Sequence, residues 1–162
     1  MELSVARPED EALLLDLLNT TPVVDGERLD LLTDPGWLAE HHVDESQLTA
    51  LTAARDALQA VVRGERSPSA LQPFLDAVAL TPVATEQGFD WQVAGADAAT
   101  RAVLAWDSLR INSPGRLRPC ANHECHLFLL DRSKPNTARW CSMAICGNRM
   151  KARRHYQRTR GE

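Results

Sequence analysis

The spacing of four cysteines constrains the fold of this chain more than any other feature of its sequence. They form two pairs, Cys120 with Cys125 and Cys141 with Cys146, with four residues inside each pair and fifteen between the pairs. Such paired cysteines are typical of tetrahedral four-thiolate zinc sites, although the spacing within each pair is at the wide end of the usual range. In a cytoplasmic protein, clustered thiols are more often metal ligands than disulfides. The pattern therefore predicts one structural Zn²⁺.

Four thiolates would fill the coordination shell of the metal and leave no position for a substrate or a water molecule. The binding energy of the ion would then help to fold a segment with little hydrophobic core of its own. His123 and His126 are rival ligands, because imidazole binds zinc well, but with four sulfurs available a solvated or supporting role is favoured for both. Oxidation of the thiolates with loss of zinc is an alternative that the sequence leaves open.

Composition indicates a globular chain without a membrane partner. Of the 162 residues, 44% are hydrophobic and 25% are charged, which is ordinary for a soluble protein. The longest apolar run, residues 102–106, is far shorter than a membrane span, and residues 1–4 lack the basic start of a signal peptide. We therefore expect a cytoplasmic protein.

The net charge of −4 conceals an asymmetry between the two ends of the chain. Residues 1–115 contain 7 Lys and Arg against 19 Asp and Glu, a net charge of −12. Residues 116–162 contain 11 against 3, a net charge of +8. An acidic body with a basic tail favours a polyanion as partner of the tail, because Lys and Arg contacts release counterions from phosphates. A solvated basic surface, or a tail docked on its own acidic body, is the alternative.

Hydrophobic periodicity predicts an α+β fold with a mostly helical N-terminal domain and a small β-hairpin. In that domain, Ser46 is a candidate helix cap and Gly64 a stop signal. Phe89, Trp91 and Val93 alternate with polar residues, which predicts a half-buried strand paired with residues 83–85. The predicted helices cover residues 9–19, a short stretch around Trp37 and Leu38, residues 46–62, a segment beginning at Ser67-Pro68, and residues 98–109.

The turn signals at residues 112–115 indicate the boundary between a domain of residues 1–112 and a zinc finger of residues 116–160. Within the finger, residues 128–130 and 138–140 flank the turn-prone residues 133–136, which predicts a hairpin between the cysteine pairs. A helix is expected from Cys141 onward. A knuckle, a hairpin and a helix that carries ligands would make a treble-clef-like finger.

The finger's helix would be strongly basic. Arg149, Arg153 and Arg160 are predicted along one side, with Lys151, Arg154 and Arg158 adjoining, and such a helix could enter a major groove or follow a phosphate backbone. The candidate nucleic-acid-binding residues are Arg149, Lys151, Arg153, Arg154 and Arg158, and the exposed aromatic candidates are His155 and Tyr156.

Three residues of this segment have a structural interpretation. For Arg149, hydrogen bonds made together with Asn148 to the knuckle backbone and the thiolates are as well supported as a nucleic-acid contact. Gly147, directly after a ligand, is expected to allow close approach of backbone. Trp140 is more readily explained as part of a small core than as a base-stacking platform.

These residues resemble those of a known family. Arg116-Leu-Arg-Pro-Cys, Asp131-Arg-Ser, Arg139-Trp-Cys-Ser-Met and Cys146-Gly-Asn-Arg-Met-Lys-Ala-Arg-Arg are similar to motifs of the CGNR zinc finger. In that family the finger follows a larger domain, often called ABATE, described as a stress-induced transcription regulator. Leu15-Asp-Leu-Leu-Asn-Thr20 resembles the opening Leu-Asp-Phe-Val-Asn-Thr of that domain. The resemblance implies four cysteine ligands, a DNA-binding finger and an ABATE-like domain over residues 1–112.

The body carries no recognisable catalytic set. It has no phosphate-binding glycine loop, no nucleophile elbow and no second metal motif. His41, His42, Asp44 and Glu45 lie close together, but a solvated loop is the favoured interpretation. We therefore expect a regulator rather than an enzyme, with a body that senses a small-molecule effector or forms a homodimer, and a finger that binds duplex DNA. The alternative is a zinc-finger adaptor for RNA or a protein partner.

Overall fold

The computed structural model describes residues 6–161 and confirms the predicted α+β fold. Three two-stranded antiparallel sheets accompany the helices. The expectation about a signal peptide concerns residues 1–4, which lie outside the described part. In residues 6–161, none of the helices is both long and apolar enough to cross a membrane. The elements are α1 Pro8–Leu18, β1 Val23–Val24, β2 Glu27–Arg28, α2 Pro35–Glu40, α3 Leu48–Val62, β3 Ala79–Thr85, β4 Gly88–Ala94, α4 Ala98–Asn112, β5 Leu117–Pro119, β6 Phe128–Leu130 and α5 Asn148–Arg160.

The core of the body is formed by α1, α3 and α4. Helix α1 begins with Pro8 and three acidic residues, which suit the positive end of the helix dipole. Four of its five leucines are buried, and α4 packs against them with a row of small residues. The buried residues of these two helices include Leu13, Leu14, Leu17, Leu18, Ala98, Ala99, Ala102, Val103 and Ala105.

The predicted helices are present, but two details of the prediction are wrong. Ser46 does not cap α3; the carboxylate of Asp44 accepts a hydrogen bond from the Ser46 backbone amide at 2.8 Å and starts a 3₁₀ turn before the helix. The segment after Ser67 is a 3₁₀ helix, Pro68–Phe74, rather than an α-helix. Pro73 lies inside it and has no amide hydrogen to donate to an α-helical ladder.

The predicted hairpin is present and longer than expected, but it is not half-buried. Strands β3 and β4 pair in register from Ala79↔Ala94 to Thr85↔Gly88. All of β3 is exposed, and in β4 only Val93 is partly covered. The alternation of apolar side chains is thus a property of the ribbon itself, because within residues 6–161 the body covers the two strands only at Val93.

The finger is anchored in the body through Phe128 of β6. Its side chain is 1% exposed and belongs to the hydrophobic core of the body. The side-chain amide of Asn19 holds the backbone of the same residue, accepting from the Phe128 amide at 2.7 Å and donating to its carbonyl at 3.2 Å. Arg63 of the body lies over the Phe128 ring, 4.7 Å from its centroid, and donates to the carbonyl of His126. The division into two domains stays a prediction.

Replacing Phe128 by Ala should destabilise the body as well as the finger. The lost ring would leave a cavity in the shared core, so we expect the free energy of unfolding to fall by about 3–5 kcal/mol. Urea unfolding followed by circular dichroism, which is dominated by the helices of the body, measures this change. Ile145→Ala, at an exposed apolar residue of the finger, is the matched control and should cost less than about 0.5 kcal/mol. Unchanged body unfolding in Phe128→Ala would contradict the anchoring role.

Candidate metal centre and basic helix

The first cysteine pair lies in the connection of the β5–β6 hairpin. Cys120 follows β5, and its amide donates to the Leu127 carbonyl at 2.9 Å, so that the chain reverses between the two cysteines. The predicted hairpin between the pairs is wrong. Strand β6 pairs with β5, in the register Leu117↔Leu130, instead of with residues 138–140. Residues 138–140 are not a strand.

The second cysteine pair lies at the start of the finger's helix. Cys141 precedes a π-helical turn, Met143–Gly147, and Cys146 belongs to this turn. The turn leads directly into α5, which confirms the prediction of a helix after Cys141. A knuckle within the β5–β6 hairpin, followed by a helical turn that carries Cys146, is consistent with a zinc finger, but the hairpin that the treble-clef-like prediction placed between the cysteine pairs is not formed.

The four cysteine sulfurs converge on one point. Their Sγ atoms all lie within 4.8 Å of one another, and Cys141 is 3.6 Å from both Cys125 and Cys146. A tetrahedral zinc site with metal–sulfur bonds of about 2.3 Å requires sulfur separations of about 3.8 Å, whereas a disulfide requires about 2 Å. In residues 6–161 no other group of three or more His, Cys, Asp or Glu side chains can hold a metal. The geometry therefore fits one structural Zn²⁺ with four thiolate ligands, and the rival ligands His123 and His126 are outside the cluster.

Neighbouring N–H groups donate to the cysteine sulfurs. The side-chain amide of Asn122 is 3.5 Å from the sulfur of Cys146, and the backbone amide of Cys141 is 3.4 Å from that of Cys120. Asn122 is 1% exposed and also accepts from the Glu124 amide, which closes the turn between the first two ligands. The buried side chain of Asn122 thus closes the turn of the first cysteine pair and donates a hydrogen bond to Cys146 of the second pair.

The two residues predicted to support the thiolates point elsewhere. The amide of Asn148 donates to the Ala144 carbonyl in the preceding turn at 3.3 Å. Arg149 is exposed, and within residues 6–161 neither side chain bonds a cysteine sulfur. The sequence offered one signal for Asn122, since an Asn inside a short Cys-to-Cys turn often accepts from the backbone two residues ahead.

Without a metal, the clustered thiols differ in how readily they ionise. Burial raises the pKa of Cys125 to about 11, and burial with the neighbouring thiols raises the pKa of Cys141. Burial also acts to raise the pKa of Cys146, but hydrogen bonds from Asn122 and the other thiols outweigh it, and that pKa is lowered. A divalent cation would reverse this balance, because it binds thiolates and displaces their protons.

The carboxylate of Asp131 accepts hydrogen bonds from several parts of the finger, a role that the sequence did not predict. One carboxylate oxygen accepts from the Ser133 hydroxyl and amide, and the other from the Ala138 amide at 2.8 Å and from Arg118 at 2.7 Å. The hydrogen bond from the Ser133 hydroxyl, with further support from Ala138 and Arg118, lowers the pKa of Asp131 to about 2. These bonds tie the end of β6, the following loop and β5 together beneath the metal centre.

Gly147 provides space for side chains rather than for backbone. A β-carbon at this position would lie 2.7 Å from the Met143 sulfur and 3.2 Å from the Trp140 ring. Trp140 is half-buried, with the Arg139 guanidinium 5.2 Å from its ring centroid. This packing supports the interpretation of Trp140 as part of a small core and corrects the expected backbone contact at Gly147.

Helix α5 is exposed along its whole length. It contains no buried residue, and six of its 13 residues are Lys or Arg. Arg153 pairs with Glu124 of the knuckle. No hydrogen bond or ion pair joins the side chain of Arg149, Lys151, Arg154, Arg158 or Arg160 to the rest of residues 6–161. The basic tail is therefore not docked on the acidic body through this helix.

The basic residues of α5 form two stripes rather than one. At about 100° per residue, Arg149, Arg153 and Arg160 fall within about 40° of one another. Lys151, Arg154 and Arg158 form a second group, centred about 150° away. The expectation that the second group adjoins the first is wrong, because positions two or five residues from Arg149 fall on the opposite side of an α-helix.

A cleft of about 750 Å³ separates the metal centre from the β1–β2 hairpin of the body. Its walls are mostly apolar, and Arg149 lies at its edge. The residues that line it include Pro22, Val23, Val24, Cys125, Leu127, Phe128, Cys141, Ile145, Cys146 and Arg149. Cys125 and Cys141, which are both half-buried, line this cleft.

The polar residues grouped in the body do not form a common site. His41 packs against Trp37, with ring centroids 4.3 Å apart, and its Nε2 is 3.4 Å from Asp16. Asp44 caps the next turn. These contacts are structural and leave the residues directed to different neighbours.

Asn122→Ala should weaken zinc binding, because it removes the hydrogen bond to Cys146 and the turn between the first two ligands. Substitutions of residues that bond a metal ligand typically reduce affinity by about 10–100-fold, and we expect a loss in that range. Competition with a chromophoric chelator measures the affinity. Asn148→Ala removes the same side chain from a residue whose side chain bonds a backbone carbonyl of the preceding turn and contacts no sulfur, and it serves as control. Equal losses in the two variants would contradict the assignment.

Zinc affinity should rise steeply with pH. Because the raised pKa values keep the thiols of Cys125 and Cys141 protonated at neutral pH, zinc must displace at least two protons. The affinity should then increase by about 100-fold per pH unit around neutrality. Chelator competition at about pH 6.5 and 7.5 tests this. An affinity that does not depend on pH would show that the metal-free thiols are already ionised.

The comparisons with known proteins concern the finger. A comparison with curated proteins found no match for the chain. The CGNR zinc finger family matches residues 116–159, which contain the knuckle, the four cysteines and nearly all of α5. The ABATE-like character of residues 1–112 stays a prediction. With its four sulfurs arranged for one metal ion, the segment of residues 116–159 is similar to the CGNR zinc finger family in both sequence and ligand geometry.

Proposed function

We propose that this protein is a transcription regulator that binds duplex DNA through α5. The observation that carries the proposal is the exposure of a helix with six basic residues, only one of which is paired within the described chain. Like charges repel one another on such a helix and are not compensated by packing. Phosphates would relieve this repulsion and release counterions, which favours a polyanionic partner.

The arrangement of the two basic stripes suits a duplex better than a flat anionic surface. The major groove is about 12 Å wide and admits an α-helix, with a phosphate backbone on either side. Stripes about 150° apart could each contact one backbone. The shorter side chains of Ala152, His155 and Thr159 lie between the stripes on one side, where they could reach base edges.

The metal centre would hold this helix in place for DNA. Cys146 lies one turn before α5, and the other three ligands fix it to the knuckle, which is anchored in the body through Phe128. The zinc would therefore supply rigidity, not chemistry, and we propose no enzymatic activity.

We propose the cleft beside the thiolates as the place for a small-molecule effector.

One observation favours the alternative of an RNA-binding adaptor. Tyr156 is exposed, and its ring centroid lies 6.2 Å from that of His155. Exposed aromatic rings stack on unpaired bases, which are the usual target of sequence-specific RNA recognition. Competition between duplex DNA and structured RNA separates the two functions.

Binding of zinc-loaded protein to duplex DNA across a salt series tests the proposal. Affinity should fall steeply with salt, and Arg154→Ala and Arg158→Ala should each reduce the slope of log K against log salt by about 0.9. Both variants should keep their zinc, because neither residue contacts a ligand. The assay is fluorescence anisotropy with labelled genomic fragments.

Arg66→Ala is the matched control, since Arg66 is an exposed residue of the body and its loss changes the net charge equally. It should leave the slope unchanged. Absence of DNA binding at low salt would refute the proposal. Preference for structured RNA over duplex DNA would replace it with the adaptor function.

A further inference from the structure

The β3–β4 ribbon presents one apolar face to solvent. Residues opposite each other in an antiparallel pair lie on the same face of the sheet. The pairs Leu80↔Val93, Pro82↔Trp91 and Ala84↔Phe89 therefore share one face, while Thr81↔Gln92 and Val83↔Asp90 share the other. Six apolar residues are thus collected on a single surface of the ribbon.

This face is open. The Phe89 side chain is 74% exposed, Trp91 43% and Leu80 42%. A cleft of about 540 Å³ lies between the inner end of the ribbon, at Trp91 and Val93, and Leu104 of α4, and the body lines it with charged residues as well, namely Arg7, Asp10 and Arg101. The body therefore does not close over the ribbon. A two-stranded ribbon alone is marginally stable in water, and contiguous exposed apolar surface on a soluble protein commonly marks an interaction site.

The charges of the ribbon exclude a nucleic acid as its partner. Residues 79–94 contain no Lys, Arg or His and two acidic residues, Glu86 and Asp90. Asp90 lies on the opposite face, and Glu86 lies in the turn. The apolar face itself is uncharged, so a complementary partner must present an uncharged apolar surface as well.

We propose that the apolar face packs against the same face of a second copy of this chain. A two-fold axis brings identical patches together, and an uncharged apolar patch is complementary to itself. Two ribbons packed face to face about 10 Å apart would form a small sandwich. Phe89, at the outer end of one ribbon, would cover the partner's ribbon.

The area available is consistent with a dimer. On the sizes of these side chains, their exposed parts amount to roughly 400 Å² per copy. Two copies, with the adjoining backbone, approach ~1,000 Å², which is the lower limit for a specific interface and the size of a weak, reversible dimer. The interface uses none of the zinc ligands or basic residues, so the dimer and the proposed DNA binding can fail independently. If both hold, each dimer carries two fingers.

Sedimentation equilibrium of the zinc-loaded protein tests the proposal. The wild-type chain should be mostly dimeric at about 100 µM. Phe89→Lys places a charge on the apolar face and should raise the dimer dissociation constant by about 30-fold or more. Ala84→Lys, at the cross-strand neighbour on the same face, should act in the same direction and serves as a second variant.

Thr81→Lys introduces the same charge on the opposite face of the ribbon and is the control. It should change the dissociation constant by less than about threefold. Circular dichroism and zinc content of all three variants verify the fold. A monomeric wild-type chain at about 100 µM, or equal dissociation of the Phe89 and Thr81 variants, would overturn the proposal.

Discussion

Convergence of four sulfur atoms is the constraint on which the finger depends. The Sγ atoms come from two segments separated by fifteen residues, and the neighbouring hydrogen bonds serve this convergence. Asn122 closes the first turn and donates to a sulfur of the second pair, while Asp131 gathers the intervening loop. Such a small segment buries too little apolar surface to hold these parts together, so the free energy of metal binding is part of its folding energy.

The finger also depends on the body, through one strand. β6 places Phe128 in the core formed by α1, α3 and α4, and Asn19 occupies both hydrogen-bonding groups of that residue's backbone. Asn19 follows α1 directly, within the Leu15–Thr20 segment that resembles the opening of an ABATE domain. This segment has a physical role here, because it joins the finger to the body. α5, in contrast, is free of the body and presents its charges to solvent.

The features that depend on a local sequence pattern were predicted correctly from the sequence. The features that depend on contacts between residues distant in the chain were not. Cysteine spacing identified all four ligands, since thiolate clusters have few other uses, and periodicity located the helices. The pairing of β6 with β5 was missed because residues 138–140 have equally strand-like side chains and lie closer to the turn signal. Asn122 was missed in favour of Asn148, because only the folded knuckle shows which amide reaches a sulfur. The exposure of Phe89 could not be predicted, because the alternation of apolar and polar residues indicates a strand but not whether another element packs against it.

The metal centre, the body and the basic helix are linked through shared residues. The β5–β6 hairpin carries the first two ligands in its connection and Phe128 at the start of its second strand. The turn that holds Cys146 is also the first turn of the segment that becomes α5. Loss of the metal would therefore loosen the hairpin that fills the core and release the base of the basic helix. Since a polyanion is bound most favourably by charges held in fixed positions, the metal that stabilises the finger also sets how its charges are presented.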